Sequence, residues 1–208
     1  ESGKMDKSDV ILKVTDIYKS FGGVKAVNGV SLEVKRGSIT GLIGPNGSGK
    51  TTLFNCITGT YDIERGSVVL NGEEISKLQP WVRAHKGLGR TFQITKLFKS
   101  MNVLDNLVAP LEKPSYKKML ANKIQGDEVD RAREVLSFMG LSSFEQSKVG
   151  ALSFGQQKLI EFAQILMLRP DIVMLDEPAS GINPTLIERL SKAIKRLNEA
   201  GTTFLIVE

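Results

Sequence analysis

Ile39-Thr40-Gly41-Leu42-Ile43-Gly44-Pro45-Asn46-Gly47-Ser48-Gly49-Lys50-Thr51-Thr52 decides the fold. An apolar strand-like run opens into a glycine-rich turn, and Thr52-Leu53-Phe54-Asn55-Cys56-Ile57 continues as a helix-compatible stretch. Gly44 to Thr51 satisfies G-x-x-x-x-G-K-[ST] with a strand before it and a helix after it, the context in which that spacing cradles phosphate. Glycines let the backbone wrap an anion without Cβ clashes, successive amides point inward, and the positive end of the helix faces the charge. Gly44, Asn46, Gly47, Ser48, Gly49, Lys50, Thr51 and Thr52 are the candidate nucleotide contacts. In this geometry Lys50 reaches the β and γ phosphates of a bound nucleotide and the Thr51 hydroxyl serves Mg²⁺.

Around this loop, Val10 to Val14 and Ser31 to Val34 alternate apolar and polar side chains and predict half-buried strands of an antiparallel element. Ile39 to Ile43 predicts a strand buried more completely. Val68-Val69-Leu70 before Asn71-Gly72 predicts a strand and a tight turn. Ile172 to Leu175 and Phe204 to Val207 are short continuous apolar runs, as in a parallel sheet covered on both faces. Between about Ile94 and Val149 the pattern becomes helical: Val129, Ala132, Val135, Leu136 and Met139 recur at helical spacing, Gly140 can end that helix, and Pro110 and Pro114 interrupt the stretch before it. The expected organisation is a tail at 1–9, one core from 10–93 and 150–208, and a helical insertion at 94–149. Glu1-Ser2-Gly3-Lys4 ahead of Met5 reads as a cloning remnant or a frayed tail.

Asp176 and Glu177 end the run Ile172-Val173-Met174-Leu175, and ligands of open α/β sheets gather at the carboxyl ends of such strands. Asp176 is expected to hold Mg²⁺, directly or through water. Glu177 is expected to polarise an attacking water, because phosphoryl transfer needs positioning and charge stabilisation more than covalent chemistry. Farther back, Ser153 can cap a helix that carries Leu159, Phe162, Ala163 and Leu166 on one face until Pro170 ends it. That helix start is a second candidate anion site.

A phosphate loop alone leaves kinases, GTPases, helicases and recombinases open. Leu152-Ser153-Phe154-Gly155-Gln156-Gln157, however, resembles the LSGGQ signature of the ABC transporter ATPases, and its place ahead of Asp176-Glu177 matches that family's order of motifs. The resemblance covers the chain from Ile11 onward. It implies a P-loop NTPase core of mostly parallel sheet flanked by helices, with an N-terminal antiparallel β subdomain and a helical insertion. It implies that Ser153, Gly155 and Gln156 contact the γ-phosphate held by another subunit, and that Phe21 stacks on adenine. Gln93, in Arg90-Thr91-Phe92-Gln93, matches the glutamine that touches Mg²⁺ and senses the membrane subunit, so the catalytic set is Glu177, Lys50 and Gln93. Ser180-Gly181-Ile182-Asn183 matches the D-loop, which crosses the dimer interface.

The partners so implied are a second ABC ATPase subunit, in a homodimer or heterodimer, integral-membrane permease subunits, and indirectly a solute-binding protein. The implied location is cytoplasmic, peripheral on the cytoplasmic face of the cell membrane. Phe154 in place of the first signature glycine and Asn183 in place of the D-loop aspartate, together with Arg90-Thr91-Phe92-Gln93 and Asn183-Pro184, resemble the ATP-binding subunits of branched-chain amino-acid importers. The γ-phosphate site needs the Gly155 backbone and the Ser153 hydroxyl more than residue 154, so Phe154 is expected to be compatible with activity. The family's switch histidine follows one residue after the position of Glu208. His85 does not stand in for it and reads as a surface or core histidine. The chain as given is therefore expected to bind ATP and turn it over poorly.

The remaining properties limit the alternatives. The 208 residues with 41% hydrophobic content suffice for one packed core, and no apolar run approaches the roughly 20 residues that span a bilayer. One cysteine, Cys56, excludes an intrachain disulfide framework and a cysteine-cluster zinc site, and fits a reducing compartment. The formal charge of +5 is spread without a run of five like charges, which favours an ordinary solvated surface over nucleic-acid binding. No long heptad array separates Lys50 from Asp176, so a chromosome-maintenance type with a coiled-coil arm is disfavoured. Asn122-Lys123-Ile124-Gln125 is superficially similar to the guanine-reading N-K-x-D motif, but Gln125 lacks the carboxylate. An ABC ATPase for another cargo, such as lipid or lipopolysaccharide export, or one acting on nucleic acid, stays open at this point.

Overall fold

The structure is a computed structural model that describes residues 9–90, 97–109 and 126–208. It divides into two compact units, Glu1–Arg90 with Pro170–Pro178 and Arg196–Glu208, and Thr91–Arg169 with Ala179–Lys195. Gln93, Pro110, Pro114 and Asn122–Gln125 lie outside the described residues.

Among the described residues the first unit holds two four-stranded sheets. Alternating side chains and an antiparallel register produce the first: β1 (Val10–Phe21) pairs β2 (Val24–Lys35) and β4 (Arg65–Leu70), and β4 pairs β5 (Glu73–Glu74), giving the order β2-β1-β4-β5. Both expected strands near the start of the chain are present and longer than the alternation alone indicated. Asn71 and Gly72 both take positive φ, 51° and 80°, as a two-residue turn between twisted strands requires. The second sheet is parallel throughout, in the order β3-β8-β7-β6, with β3 Ile39–Leu42, β8 Thr203–Val207, β7 Ile172–Asp176 and β6 Leu88–Arg90. Every residue of β7 is buried, as its uninterrupted apolar run predicted. An apolar cluster that includes Leu12, Val14, Ile17, Phe54, Ile57, Met174 and Leu205 joins both sheets to helix α1 (Lys50–Thr58). Removing such a side chain from water contributes about 1.5–3 kcal/mol.

One expectation is corrected here. Ile39 to Ile43 was expected to be buried more completely than the alternating strands, but β3 has the pattern exposed, half-buried, exposed, half-buried, and Ile39 and Ile43 remain 49% and 81% exposed. Among the described residues β3 pairs only with β8. An edge strand with one covered face needs no apolar residue on the other, so the run of hydrophobics did not report burial.

The second unit is helical. Among the described residues its α-helices are α3 (Val103–Val108), α4 (Gly126–Phe138), α5 (Phe154–Met167) and most of α6 (Pro184–Glu199). Short α2 (Pro80–His85) belongs to the first unit. The spacing read for α4 holds: Ala132, Leu136 and Met139 are buried. Leu141 N–H donates to the Leu136 carbonyl at 2.7 Å to close the helix end. Arg131 Nη2 bonds the Leu166 carbonyl at 2.8 Å, and Gln164 Nε2 the Asn106 carbonyl at 2.8 Å, tying α4 and α3 to α5. Helix α5 is buried on more than the one expected face, because Ile160, Ile165 and Met167 are covered as well as Leu159, Phe162, Ala163 and Leu166.

Candidate functional site

Because β3, β8 and β7 run parallel, their carboxyl ends share one edge. Their registers are Leu42 opposite Val207 and Val207 opposite Asp176. The loop that follows β3 and the acids that end β7 therefore emerge together, two strands apart. Distant segments, 39–51 and 172–177, meet for this topological reason.

The loop from Gly44 to Ser48 is exposed and delivers the chain to α1. Gly49 stands at the helix start with φ 92°, and no side chain caps that end. An ideal Cβ there would lie 2.1 Å from the Ala26 carbonyl oxygen, so only glycine lets the loop approach β2 this closely. The first amides of α1 face the loop with no acid in the first turn, the arrangement that attracts an anion. Lys50 folds back over the loop, and its ammonium donates to the Gly44 carbonyl at 2.6 Å and the Pro45 carbonyl at 3.1 Å. Thr51 and Thr52 are half-buried behind it. Beside the loop lies a cavity of about 400 Å³ whose lining includes Lys25, Asn28, Leu42, Ser48 and Lys50.

At the other side, Asp176 is only 8% exposed. Burial pushes its carboxyl up from the usual range and the adjacent Glu177 adds to this, while Arg90 and Lys50 pull it down and Glu208 raises it again. Glu177 is half-buried; its N–H donates to the Val207 carbonyl at 2.9 Å, and its backbone holds φ 45°. A non-glycine residue in that left-handed region carries strain that surrounding structure must sustain, and such strain gathers at functional positions.

Two arginines that the sequence reading gave no role secure the far end of α1. Arg83, 2% exposed, donates to the carbonyls of Cys56, Ile57, Ser76 and Leu78 at 2.6–2.9 Å. Arg90, at the end of β6, donates to Asn55 Oδ1 and to the Thr58 and Thr60 hydroxyls, and lies over the Phe54 ring. Nothing in Pro80-Trp81-Val82-Arg83 or Leu88-Gly89-Arg90 distinguishes these side chains from surface ones; only the packing of α1 shows their use.

In the second unit Ser153 is exposed at the start of α5. Its hydroxyl accepts from Gln156 N–H at 3.3 Å and Gln156 Oε1 accepts from Ser153 N–H at 2.8 Å, a reciprocal cap. The predicted N-cap is thus present. Gly155 is buried, and a Cβ on it would stand 2.7 Å from Leu186 Cδ1 and 3.3 Å from Ile182 Cγ2. Its lack of a side chain is required first by packing against α6 and the residues before it. That packing also keeps the start of α5 in the same unit as Ala179–Lys195. Asn183 Oδ1 accepts from Leu186 N–H at 3.0 Å, serving as a cap ahead of Pro184.

Phe21 stands at the tip of the β1–β2 hairpin, 45% exposed. Tyr61 meets it edge-on at 5.2 Å and the Lys19 ammonium lies 5.3 Å from the ring centroid. Tyr61 was not singled out in the sequence, since its neighbourhood to Phe21 arises only from folding. His85 lies on α2, its Nδ1 2.8 Å from the Trp81 carbonyl, in keeping with its reading as a structural histidine.

The family described as ABC transporter matches residues 27–180. The chain is 39% identical over 207 residues to the high-affinity branched-chain amino acid transport ATP-binding protein BraF of Pseudomonas aeruginosa, covering 95% of this chain and 81% of that protein. It is 36% identical to the high-affinity branched-chain amino acid transport ATP-binding protein LivG of Escherichia coli, covering 97% and 82%. Among solved structures, it resembles a nucleotide-free ATP-binding cassette from an ABC transporter with a TM-score of 0.84 at 38% identity, covering 96% of this chain and 81% of that one. It also resembles a dimeric bacterial ABC transporter cassette with a TM-score of 0.81 at 27% identity, covering 95% and 87%.

Proposed function

The chain belongs to the ABC transporter family of ATP-binding cassettes, and from that premise we propose that it is the subunit that binds and hydrolyses MgATP to energise import of branched-chain amino acids. The observation that carries the reading is the line Leu42, Val207, Asp176 across three parallel strands, which sets a phosphate loop beside two acids. The identity to BraF and LivG over most of this chain supports the cargo class. Among the described residues no helix is long and apolar enough to cross a membrane. The subunit works peripherally on the cytoplasmic face, coupled to permease subunits that cross the bilayer and, through them, to a solute-binding protein.

In this reading the amides of Gly47 to Thr51 hold the phosphates, and Lys50 exchanges the Gly44 and Pro45 carbonyls for β- and γ-phosphate oxygens. Phe21 and Tyr61 offer an exposed aromatic surface for the adenine ring. The donor chemistry fits Mg²⁺: Thr51 and Asp176 are hard oxygen donors. This is how a metal shared with substrate phosphates is held. When bound, Mg²⁺ neutralises charge on the phosphate oxygens. Glu177, in its constrained backbone position, orients the water that attacks the γ-phosphate. By its resemblance to the family's motif, Gln93 is assigned the link to the membrane partner.

The capped start of α5, with Ser153, Gly155 and Gln156, faces the γ-phosphate of a nucleotide held by a second ATP-binding subunit. ATP then closes the pair, and loss of the γ-phosphate opens it, because that group is the differential contact between the two states. Glu177→Gln preserves size and removes the charge that activates water. We expect it to form a stable dimer in saturating ATP, measured by light scattering after size exclusion. A Glu177→Gln chain that stays monomeric would overturn the scheme. Reconstituted with its permease and binding protein, the parent is expected to accumulate leucine, isoleucine or valine in vesicles, and uptake of none of them would refute the cargo.

A further inference from the structure

Phe154 is 52% exposed, yet its ring does not project freely into solvent. It lies across Gly181, where an ideal Cβ would come within 3.0 Å of Phe154 Cε1 and 3.5 Å of Cδ1. Gly181 itself holds φ 72°, so a side chain there would be both strained and blocked. On the ring sits the Lys158 ammonium, 5.3 Å from its centroid, one helical turn along α5. The same ammonium donates to the Ser180 carbonyl at 2.7 Å. Next to this, Gly155 packs on Ile182 and Leu186. The first turn of α5 and the loop Ser180–Asn183 are therefore joined by a ring-on-glycine contact, a cation shared between ring and carbonyl, and a close helix approach.

We propose that Phe154 is a positioning residue that locks the Ser180–Asn183 loop onto the start of α5, so that the loop and the γ-phosphate contact of Ser153 move as one body. The functional half of this statement rests on the reading of α5 given under Proposed function; the mechanical half does not. A glycine at 154 would leave Gly181 uncovered and Lys158 without its aromatic face. The loop would keep the Lys158 bond and the Gly155 contact and lose the ring. Ser180 follows Glu177 by only Pro178 and Ala179 in the chain, so a loop held in one conformation also restricts the backbone that leaves Glu177.

The mechanical half is read by hydrogen exchange on the nucleotide-free chain. In Phe154→Gly the amides of Ser180–Asn183 are expected to exchange about tenfold faster, because local opening no longer has to break the ring contact. Phe154→Tyr keeps ring and cation and is expected to exchange like the parent, and Lys158→Met is expected to fall between. Unchanged exchange in Phe154→Gly overturns the lock. The functional half is read in a Glu177→Gln background. There Phe154→Gly is expected to bind ATP as a monomer with unchanged affinity, to weaken ATP-driven dimerisation about tenfold, and to be rescued by Tyr at 154. Faster exchange with undiminished dimerisation overturns the positioning role. Ser153→Glu separates the premise from the proposal: dimerisation that survives a carboxylate at the capped helix start refutes the reading of α5 while leaving the exchange result intact.

Discussion

At Asp176 burial and the neighbouring Glu177 both favour the neutral carboxyl, and Arg90 and Lys50 oppose them without reversing the result. The group therefore binds its proton more tightly in the fold than in the unfolded chain. Its contribution to stability is full below the ordinary aspartate range and is lost as pH rises through the raised value, because the unfolded chain ionises first. In chelator, Asp176→Asn removes that charge while keeping the shape. It is expected to melt about 2–4 °C above the parent at neutral pH, for a gain on the order of 1 kcal/mol, with the difference shrinking toward acid pH. A parent more stable than Asp176→Asn at neutral pH in chelator would contradict this. The same substitution is expected to abolish hydrolysis, so stability and function are in opposition at one residue.

Helix α1 is short, and what holds it is found at its far end. Lys50 and Thr51 lie in its first turn, while Arg83 grips the carbonyls of Cys56 and Ile57 at its last. Burial lowers the Arg83 pKa, yet a guanidinium remains charged, and here it meets the negative end of the helix. Arg83→Met removes the donor to the Ile57, Ser76 and Leu78 carbonyls, while Cys56 keeps its bond from Gly59 N–H, and is expected to cost about 3 kcal/mol in urea denaturation. Arg83→Lys is expected to recover little, since an ammonium cannot span acceptors on both α1 and the Ser76–Leu78 segment. A loss below about 1 kcal/mol would show that water replaces the guanidinium. At β3 the element-scale reading failed for the opposite reason: its apolar residues say that a strand forms, but which faces are covered depends on neighbours that no local pattern names.

For the molecule as a whole, nucleotide binding and stability are linked. A ligand that binds only the folded chain at a hundred times its Kd adds about 2.7 kcal/mol, so saturating MgATP is expected to raise the melting temperature by about 5–10 °C. Lys50→Ala is expected to reduce that rise to near zero while leaving the unliganded melt close to the parent, because the hydrogen bonds its ammonium makes are to two carbonyls of an exposed loop. A Lys50→Ala chain with an undiminished MgATP response would place nucleotide binding elsewhere.

The phosphate loop, the acid pair and the capped helix were legible because each depends on residues adjacent in the chain: glycines and a lysine at fixed offsets, two acids ending an apolar run, and a serine three residues before Gln156. The antiparallel and parallel strands were legible for the same reason, through period and apolar continuity. What only the tertiary structure decided are the encounters between distant segments. These are Arg83 and Arg90 closing on α1, Tyr61 meeting Phe21, Gly155 packing under Leu186, and the Phe154 ring covering Gly181. Local sequence constrains backbone conformation over a few residues, whereas partners far apart in the chain are chosen by strand order and close packing, which no single segment encodes.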